Sequence, residues 1–342
     1  MKLSFRTRAA RGAILAVPVA ATVALAIVLG GGAAVASGKS SKQAKAKNKP
    51  MSLTLGYIGT QNIYTGPEGF AYSKGLLQKW LKPYKVTIKG TAPFANGPLL
   101  TAALVGGSLQ LGEVGDTPAL VGESPVSGSS DNTRIINQDQ VGLQAVLITQ
   151  TSITKASQLE NQGIYRQPQS YMDRWVQAVL KSKGLLSKVN LVPGLLNTEI
   201  PAFNSGQIPD LVLPSAQLTL ITTKYNTLFN SEQTPAWTGT GVTEITKSAL
   251  AQDPGLPAAW NAVRDEAIQY ATAHQRAYYA FEAKAEETTV AVVKQYYPLS
   301  DDPLLPFTAS GLAHLRGTLA FLVGQSEAKN FSIPAWQAPI GR

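Results

Sequence analysis

Residues 94–120 read FANGPLLTAALVGGSLQLGEVGDTPAL, and this stretch decides the fold. Asn96-Gly97-Pro98 and Asp116-Thr117-Pro118 each place a capping side chain shortly before a proline, which is typical of the first turn of a helix. Between them Leu109, Leu111 and Val114 form a short apolar run bounded by glycines, which predicts a buried strand. The stretch therefore predicts a loop, a helix, a strand, and then a second loop and helix.

Two helix starts in one short stretch also predict a binding site. The first N–H groups of a helix have no partner inside the helix, and the helix dipole favours negative charge at that end. We expect both helices to begin at the ends of neighbouring strands, so that their free N–H groups lie on one side of a sheet. Such an arrangement is an anion site.

Outside this stretch, strand and helix patterns alternate through residues 51–342, which predicts an α/β fold with largely parallel sheets. The predicted strands are Ser52–Ile58, Lys85–Lys89, Arg134–Asn137, Gly142–Thr149, Gly163–Tyr165, Asn190–Val192, Asp210–Leu213 and Gly239–Thr243. The predicted helices include one with the apolar stripe of Phe70, Leu77, Trp80 and Leu81, and then Tyr171–Lys183, Thr198–Asn204, Ala258–Tyr279, Ala283–Tyr296 and Ala309–Val323. A loose tail is expected after the last helix.

The N-terminus has the pattern of a targeting segment. Four basic residues within 1–11 precede an uncharged run that ends in Ala34-Val35-Ala36, a small-x-small cleavage pattern. Residues 1–36 are therefore predicted to be a signal peptide, with an uncleaved membrane anchor as the alternative because the run is long. Residues 37–50 are small, polar and basic, which predicts a flexible linker. The chain has no cysteine, so neither a lipid-anchored cysteine nor a disulfide is available. These features predict a soluble exported protein, in the periplasm or outside the cell.

The formal net charge of +9 comes from this N-terminal region. Nine of the 30 basic residues and none of the 21 acidic ones lie in residues 1–50, so residues 51–342 hold 21 of each kind. A nucleic-acid-binding domain would need basic residues clustered in the folded part of the chain. No such cluster stands out, and no nucleic-acid partner is expected.

The stretch at 94–120 resembles the first lobe of solute-binding proteins of ABC importers, in particular the aliphatic-sulfonate group, whose relatives bind taurine, nitrate or pyrimidine precursors. The motifs that carry the resemblance are Phe94…Gly97-Pro98, Leu104…Gly107-Ser108 and Gly115-Asp116-Thr117-Pro118. The segments ITKASQLENQG (153–163) and AFNSGQIPDLVL (202–213) are similar to the second lobe. The resemblance covers residues 52–330.

This resemblance implies a two-lobed periplasmic-binding-protein fold of type II, with two crossing strands and a ligand cleft between the lobes. Lobe 1 would comprise residues 51–147 and 241–342, and lobe 2 residues 148–240. The implied function is capture of a small organic anion, most of all an aliphatic sulfonate, by lobe closure. The protein would act as a monomer and pass its ligand to ABC permease subunits in the membrane. No cofactor and no metal ion are expected.

The resemblance also implies which residues face the ligand. A sulfonate is a permanent anion with three acceptor oxygens, so it needs hydrogen-bond donors and no titrating base. The implied substrate-binding residues are Thr60, Gln61, Asn96, Gly97, Pro98, Asp116, Thr117, Arg166, Gln167, Gln169 and Ser170. Arg166 and backbone N–H groups would balance the negative charge. Asp116 is interpreted as a helix cap, because a carboxylate would repel a sulfonate; a ligand with an amine, such as taurine, would give it a direct role.

The sequence gives little support for an enzyme, and no catalytic residue is assigned. His274 and His314 both lie in predicted helices away from the expected cleft, and neither has metal-ligand spacing. No G-x-S-x-G elbow is present. The acidic pairs Glu286-Glu287 and Asp301-Asp302 are interpreted as solvated faces. A periplasmic enzyme on the same fold and a sensor that signals to a membrane partner remain alternatives.

Overall fold

The computed structural model describes residues 50–59, 61–124 and 132–340. The predicted signal peptide, residues 37–49 of the predicted linker, and Thr60 lie outside the described residues. The strands are β1 (Met51–Ile58), β2 (Val86–Phe94), β3 (Leu111–Gly115), β4 (Thr133–Leu143), β5 (Ala145–Gln150), β6 (Gly163–Arg166), β7 (Asn190–Pro193), β8 (Asp210–Pro214), β9 (Tyr225–Asn230) and β10 (Gly239–Thr246).

The first six helices are α1 (Gly66–Ser73), α2 (Leu76–Leu81), α3 (Gly97–Val105), α4 (Asp116–Glu123), α5 (Tyr171–Ser182) and α6 (Leu196–Asn204). The later helices are α7 (Lys247–Gln252), α8 (Leu256–Ala273), α9 (Gln275–Ala285), α10 (Val290–Tyr296), α11 (Ala309–Gly324) and α12 (Ile333–Trp336). Among the described residues, no helix is long and apolar enough to cross a membrane.

A five-stranded sheet has the order β2-β1-β3-β10-β4. Strands β1, β2 and β3 are parallel, whereas β10 is antiparallel to both β3 and β4. Strand β1 pairs with both β2 and β3, so α3 and α4 follow strands that β1 separates. The expectation that these two helices follow neighbouring strands was wrong, because β1 lies between β2 and β3. Both helices still begin at the carboxyl ends of parallel strands, on the same edge of the sheet.

Two smaller sheets complete the fold. In the three-stranded sheet β8-β5-β9 all pairs are antiparallel, and β6 and β7 form a parallel pair. The expected largely parallel sheets are therefore only partly present. Strands β4 and β5 are separated by one residue, Gln144, and belong to different sheets. The chain thus passes from the large sheet to the three-stranded sheet here and returns at β10. The lobe boundaries at 147/148 and 240/241 remain predictions.

Separate apolar cores fix these sheets. Leu53 and Leu55 of β1 are buried with Trp260 of α8 in one cluster, and Trp175 of α5 is buried in another with Leu147 of β5. Burial of large aromatic and aliphatic side chains on both faces of a sheet is the main stabilising contribution to such a fold. The two cores therefore fix the positions of the strands and of the loops at their ends.

The C-terminal tail is ordered and packed, so the expectation of a loose tail was wrong. Trp336 of α12 is buried against the core that contains Val242 and Leu315. After it, the backbone N–H of Ala338 donates to the carbonyl of Ile135 at 2.9 Å. An indole that large buries enough apolar surface to offset the ordering of a short segment.

Candidate functional site

A cavity of about 420 Å³ lies at the carboxyl ends of strands from the large and the small sheets. Residues at or just after the ends of β1, β3 and β8 line it, together with the starts of α1, α3, α4, α5 and α6 and one side of α9. In open α/β sheets ligands bind outside the carboxyl ends of strands. This cavity is therefore the candidate functional site.

The starts of α3 and α4 pack directly against each other at the cavity. A Cβ atom added to Gly97 would lie 2.4 Å from Cγ of Pro118, so only glycine allows this approach. Asn96 caps α3, since its side-chain oxygen accepts a hydrogen bond from the N–H of Leu99 at 2.9 Å. The predicted capping role of Asn96 is thus confirmed, and because Pro98 has no N–H, the N–H of Gly97 remains at the cavity end of α3.

The start of α5 lies beside the start of α4. A Cβ atom on Gly115 would be 3.9 Å from Cδ1 of Tyr171, the first residue of α5. Ser170 caps α5: its Oγ accepts from the N–H of Asp173 at 3.1 Å. The carboxylate of Asp173 accepts in turn from the N–H of Gln169 at 2.8 Å. We call the starts of α3, α4 and α5, at Gly97, Asp116 and Tyr171, the helix-start group.

Asp116 lies behind this group and is fully buried. Its Oδ2 is 3.4 Å from Nη2 of Arg174 and 3.2 Å from Nε2 of His314, and it also accepts from Thr318 Oγ1 at 3.2 Å. Burial alone would raise the pKa of Asp116, but Arg174 and His314 outweigh burial and hold it below its usual value. The helix begins at Asp116 with Gly115 as its N-cap, so Asp116 itself is not the cap.

The structure brings some of the predicted binding residues to the cavity and not others. Gln61, Gly97, Gln167 and Ser170 line it. Among the described residues, Asn96, Pro98, Asp116, Thr117, Arg166 and Gln169 do not belong to the lining, and Thr60 is outside the described residues. Their roles in ligand binding stay predictions.

Arg166 was predicted to balance the charge of an anion, but in the structure it forms an ion pair with Asp173. Its Nε lies 3.1 Å from Oδ1 of Asp173, and the side chain is mostly buried. Burial raises the pKa of Asp173, and the charge of Arg166 opposes that rise. The described cavity lining contains no lysine, arginine or histidine, so donors for an anion there come from backbone and neutral side chains.

Carboxylates line the cavity in unexpected number. We call six of them the acidic cluster: Glu68, Glu113, Asp139, Glu282, Glu286 and Asp302. Glu287 also lines the cavity and accepts from Nε2 of Gln61 at 2.5 Å. The interpretation of Glu286-Glu287 and Asp301-Asp302 as solvated faces was therefore wrong for Glu286 and Asp302, whereas Glu287 is exposed.

Arg264 of α8 is the cation in contact with the acidic cluster. Its Nε lies 2.8 Å from Oε1 of Glu68 and its Nη2 lies 3.7 Å from Oδ1 of Asp302. Burial raises the pKa of Asp139 to about 7, against the opposing charge of Arg264. Burial, followed by the charges of Glu286 and Asp302, raises the pKa of Glu282 well above its usual value. Within the described part of the chain, one guanidinium thus leaves most of the carboxylates of the cluster without an ion-pair partner.

The sequence reasoning missed the acidic cluster because its members come from α1, β3, β4, α9 and a loop near residue 302, far apart in the chain. A usable signal existed at Glu113, which interrupts the apolar pattern of β3. A carboxylate inside a buried strand needs a specific partner.

The two histidines have different surroundings. His314 contacts Asp116 behind the helix-start group, and His274 is exposed with its ring 4.1 Å from that of Tyr270. Neither belongs to the described cavity lining. Within the described part of the chain, no group of three or more His, Cys, Asp or Glu side chains is arranged to hold a metal ion.

The structure is similar to solved structures of sulfonate-binding proteins. The alkanesulfonate-binding protein SsuA from Xanthomonas axonopodis pv. citri, bound to MOPS, is 18% identical over 83% of this chain and 96% of its own, with a TM-score of 0.68. The periplasmic aliphatic sulphonate binding protein SsuA from Escherichia coli is 18% identical over 85% of this chain and 98% of its own, with a TM-score of 0.67.

An enzyme shares this architecture as well. The desulfurization enzyme DSZB is 14% identical over 84% of this chain and 96% of its own, with a TM-score of 0.60. No protein-family model matches the sequence, and no curated protein matches it. The likeness confirms the predicted fold: the chain has the α/β fold of periplasmic binding proteins, which here is shared by binding proteins and by an enzyme.

Proposed function

From this shared fold, we propose that the protein is an exported solute-binding protein of an ABC importer that captures a small sulfonate in the cavity. It would work as a monomer in the periplasm or outside the cell and deliver the solute to a membrane permease. The observation that carries the proposal is the helix-start group, in which three helices begin at one cavity in the fold of two sulfonate-binding proteins.

The chemistry of the helix-start group suits a sulfonate. Each helix presents the positive end of its dipole, and a sulfonate offers three acceptor oxygens. Side chains already accept from the N–H groups of Leu99, Thr117 and Asp173, so the donors left for a ligand are those of the first residue or two of each helix. Each of the three helices has at least eight residues, so each carries a full dipole. Gly97 and Ser170 lie at the cavity beside these N–H groups, and neither brings a negative charge.

An enzyme on the same fold is the second candidate, because DSZB shares the architecture. The two candidates differ in the fate of the solute, since a binding protein returns it unchanged. Taurine, nitrate and pyrimidine precursors are the other ligands that the sequence resemblance implies. A cavity of about 420 Å³ accommodates an organic solute of a few to a dozen heavy atoms.

A thermal-shift panel tests the proposed ligand class. The purified protein would be melted with alkanesulfonates, taurine, nitrate, sulfate and pyrimidine precursors, with the matching alkyl carboxylates as controls. A ligand at a hundredfold excess over its dissociation constant adds about 2.7 kcal/mol, which raises Tm by about 5 °C. We expect this rise with sulfonates and not with the carboxylates. If Tm rises only with nitrate or only with a pyrimidine precursor, the ligand is not a sulfonate. If no sulfonate raises Tm, the sulfonate is likewise excluded as the ligand.

A further inference from the structure

Carboxamide side chains line the cavity from several elements. Gln140 lies in β4, Gln167 in the loop before α5, Asn197 in α6 and Gln217 in the turn after β8. Within the described part of the chain, none of these four side-chain amides hydrogen-bonds to another residue. A solute in the cavity is therefore surrounded by amides whose hydrogen-bonding groups are free.

Gln217 and Gln167 have the most to gain from a partner. The carbonyl oxygen Oε1 of Gln217 is buried and accepts no hydrogen bond from the described residues, although the residue lines the cavity. Gln167 is 7% exposed, so its amide reaches solvent only through the cavity. A buried polar group without a partner is costly, and a partner supplied by the solute recovers that cost as binding free energy.

Two tyrosines add free hydroxyl groups to the cavity. Tyr278 is 2% exposed, and both it and Tyr297 line the cavity. Among the described residues, neither hydroxyl has a hydrogen-bond partner. Burial raises the pKa of both phenols well above the usual value, so each keeps its proton and can donate as well as accept.

The free groups of the cavity include donors and acceptors together. A carboxamide has N–H donors and a carbonyl acceptor, and a phenol has one of each kind. A sulfonate only accepts, so it leaves the carbonyl of Gln217 unpaired, and an ammonium group only donates, so it leaves the amide N–H groups unpaired. A hydroxyl group donates one hydrogen bond and accepts others, and it therefore matches both kinds of partner.

The acidic cluster is compatible with hydroxyl partners. Glu113 of the cluster accepts a hydrogen bond from the hydroxyl of Tyr64, so a neutral O–H already satisfies one of these carboxylates. The described lining holds no lysine, arginine or histidine that would compete for the others. Hydroxyl groups of a solute would meet the carboxylates as Tyr64 does, without bringing a further charge into the cavity.

We propose that the sulfonate captured at the helix-start group is borne on a short polyhydroxylated chain, and that Gln167 and Gln217 select this solute by hydrogen-bonding to its hydroxyl groups. This inference rests on the proposed function for the sulfonate end only. The solute class is an alkanesulfonate with two or more hydroxyl groups, and the two glutamines determine specificity for it.

Gln167 is fixed beside the sulfonate end. Its backbone carbonyl accepts from Oγ of Ser170 at 2.8 Å, and Ser170 is the cap of α5, one of the three helices of the helix-start group. Gln217 approaches the cavity from a different element, the turn after β8. A three-carbon sulfonate with two hydroxyl groups has about nine heavy atoms, which a cavity of about 420 Å³ accommodates.

The test is calorimetric titration of the purified protein with four three-carbon probes: propane-1-sulfonate, 2,3-dihydroxypropane-1-sulfonate, 3-aminopropane-1-sulfonate and glycerol. We expect the dihydroxy compound to bind about 10- to 100-fold more tightly than propane-1-sulfonate, because the plain chain leaves the buried amides unpaired. The amino compound is expected to bind less tightly than the dihydroxy compound, and glycerol, which has no sulfonate, is expected to bind weakly.

Gln167→Leu and Gln217→Leu are the matched variants, since leucine has a similar size and no polar group. The measured quantity is the ratio of the affinities for the dihydroxy compound and propane-1-sulfonate, because a general disturbance of the cavity weakens both. We expect each variant to reduce this ratio about fivefold or more. Gln269→Leu makes the same change on an exposed residue of α8 outside the described lining and should leave the ratio unchanged. Melting curves check that all variants fold.

The outcomes separate this inference from the proposed function. Propane-1-sulfonate binding as tightly as the dihydroxy compound would overturn the inference and leave the sulfonate proposal intact, and so would tighter binding of the amino compound. An unchanged ratio in both glutamine variants would also overturn the inference. Tight binding of glycerol alone would support the hydroxyl site and overturn the sulfonate proposal. No binding by any probe would contradict both.

Discussion

Gly97 has no side chain at the point where α3 begins against α4, and an alanine Cβ there would lie 2.4 Å from Cγ of Pro118. We predict that Gly97→Ala destabilises the protein by about 1–3 kcal/mol, the usual cost of overpacking. Because the start of α4 must move away, sulfonate binding should weaken as well. Urea denaturation and calorimetric titration measure the two effects.

Gly317 is the control for this substitution. It lies exposed inside α11, and a Cβ atom there meets nothing within 4 Å. Gly317→Ala should stabilise the protein by about 1 kcal/mol, because alanine is the better helix former. If both alanine variants stabilised the protein and bound ligand like the wild type, the close approach of α3 and α4 would be required neither for stability nor for binding, and the prediction would be contradicted.

Residues of the helix-start group could be predicted because their signals are local. Asn96 and Ser170 are recognised from the residues that follow them within one helical turn, and both caps are present. Glu282 and Glu68 could not be assigned in this way. They meet through packing of α9 against α1, and nothing within a few residues of either side chain encodes that contact.

At the scale of elements, Arg174 ties α5 to α4. Its Nε donates to Oγ1 of Thr117 at 3.2 Å, and its Nη2 donates to the carbonyl of Thr238 at 2.8 Å and lies 3.4 Å from Asp116. We predict that Arg174→Met destabilises the protein by about 3–5 kcal/mol, because it leaves Asp116 buried with a weaker partner. Chemical denaturation gives the free energy of unfolding.

The double variant distinguishes the ion pair from simple packing. Asp116→Asn combined with Arg174→Met removes the charge that the single variant leaves unpaired, so the combined loss should be smaller than the sum of the two single losses. Additive losses would show that the two side chains do not act as a pair. The single variants should also weaken sulfonate binding, since the starts of α4 and α5 are then free to separate.

The predicted boundaries of helices were wrong where the structure interrupts a continuous apolar pattern in the sequence. The stripe from Phe70 to Leu81 predicts one helix, but Gly75 adopts a left-handed conformation, with φ of 70°, between α1 and α2. The predicted helix Ala258–Tyr279 is divided at His274 into α8 and α9. Strand β9 was not predicted, and it is an edge strand that is half-buried at most, so its sequence lacks a clear apolar run.

At the scale of the whole molecule, one cavity receives residues from the large sheet and from the three-stranded sheet. Asp139 and Gly241 come from the large sheet, and Pro214 and Gln217 come from the end of β8 and the turn after it. A ligand that contacts both sides favours a closed arrangement of the two parts. The resemblance predicted this class of site, whereas its acidic character depends on long-range packing.

The most direct test of the central claim follows the solute itself. The purified protein would be saturated with the tightest sulfonate of the panel, separated from free solute, incubated and then denatured, and the released solute would be identified by mass spectrometry. The account predicts one solute per chain with its mass unchanged. Release of a desulfonated product would identify an enzyme, and a complex that contains no sulfonate would contradict the proposed function.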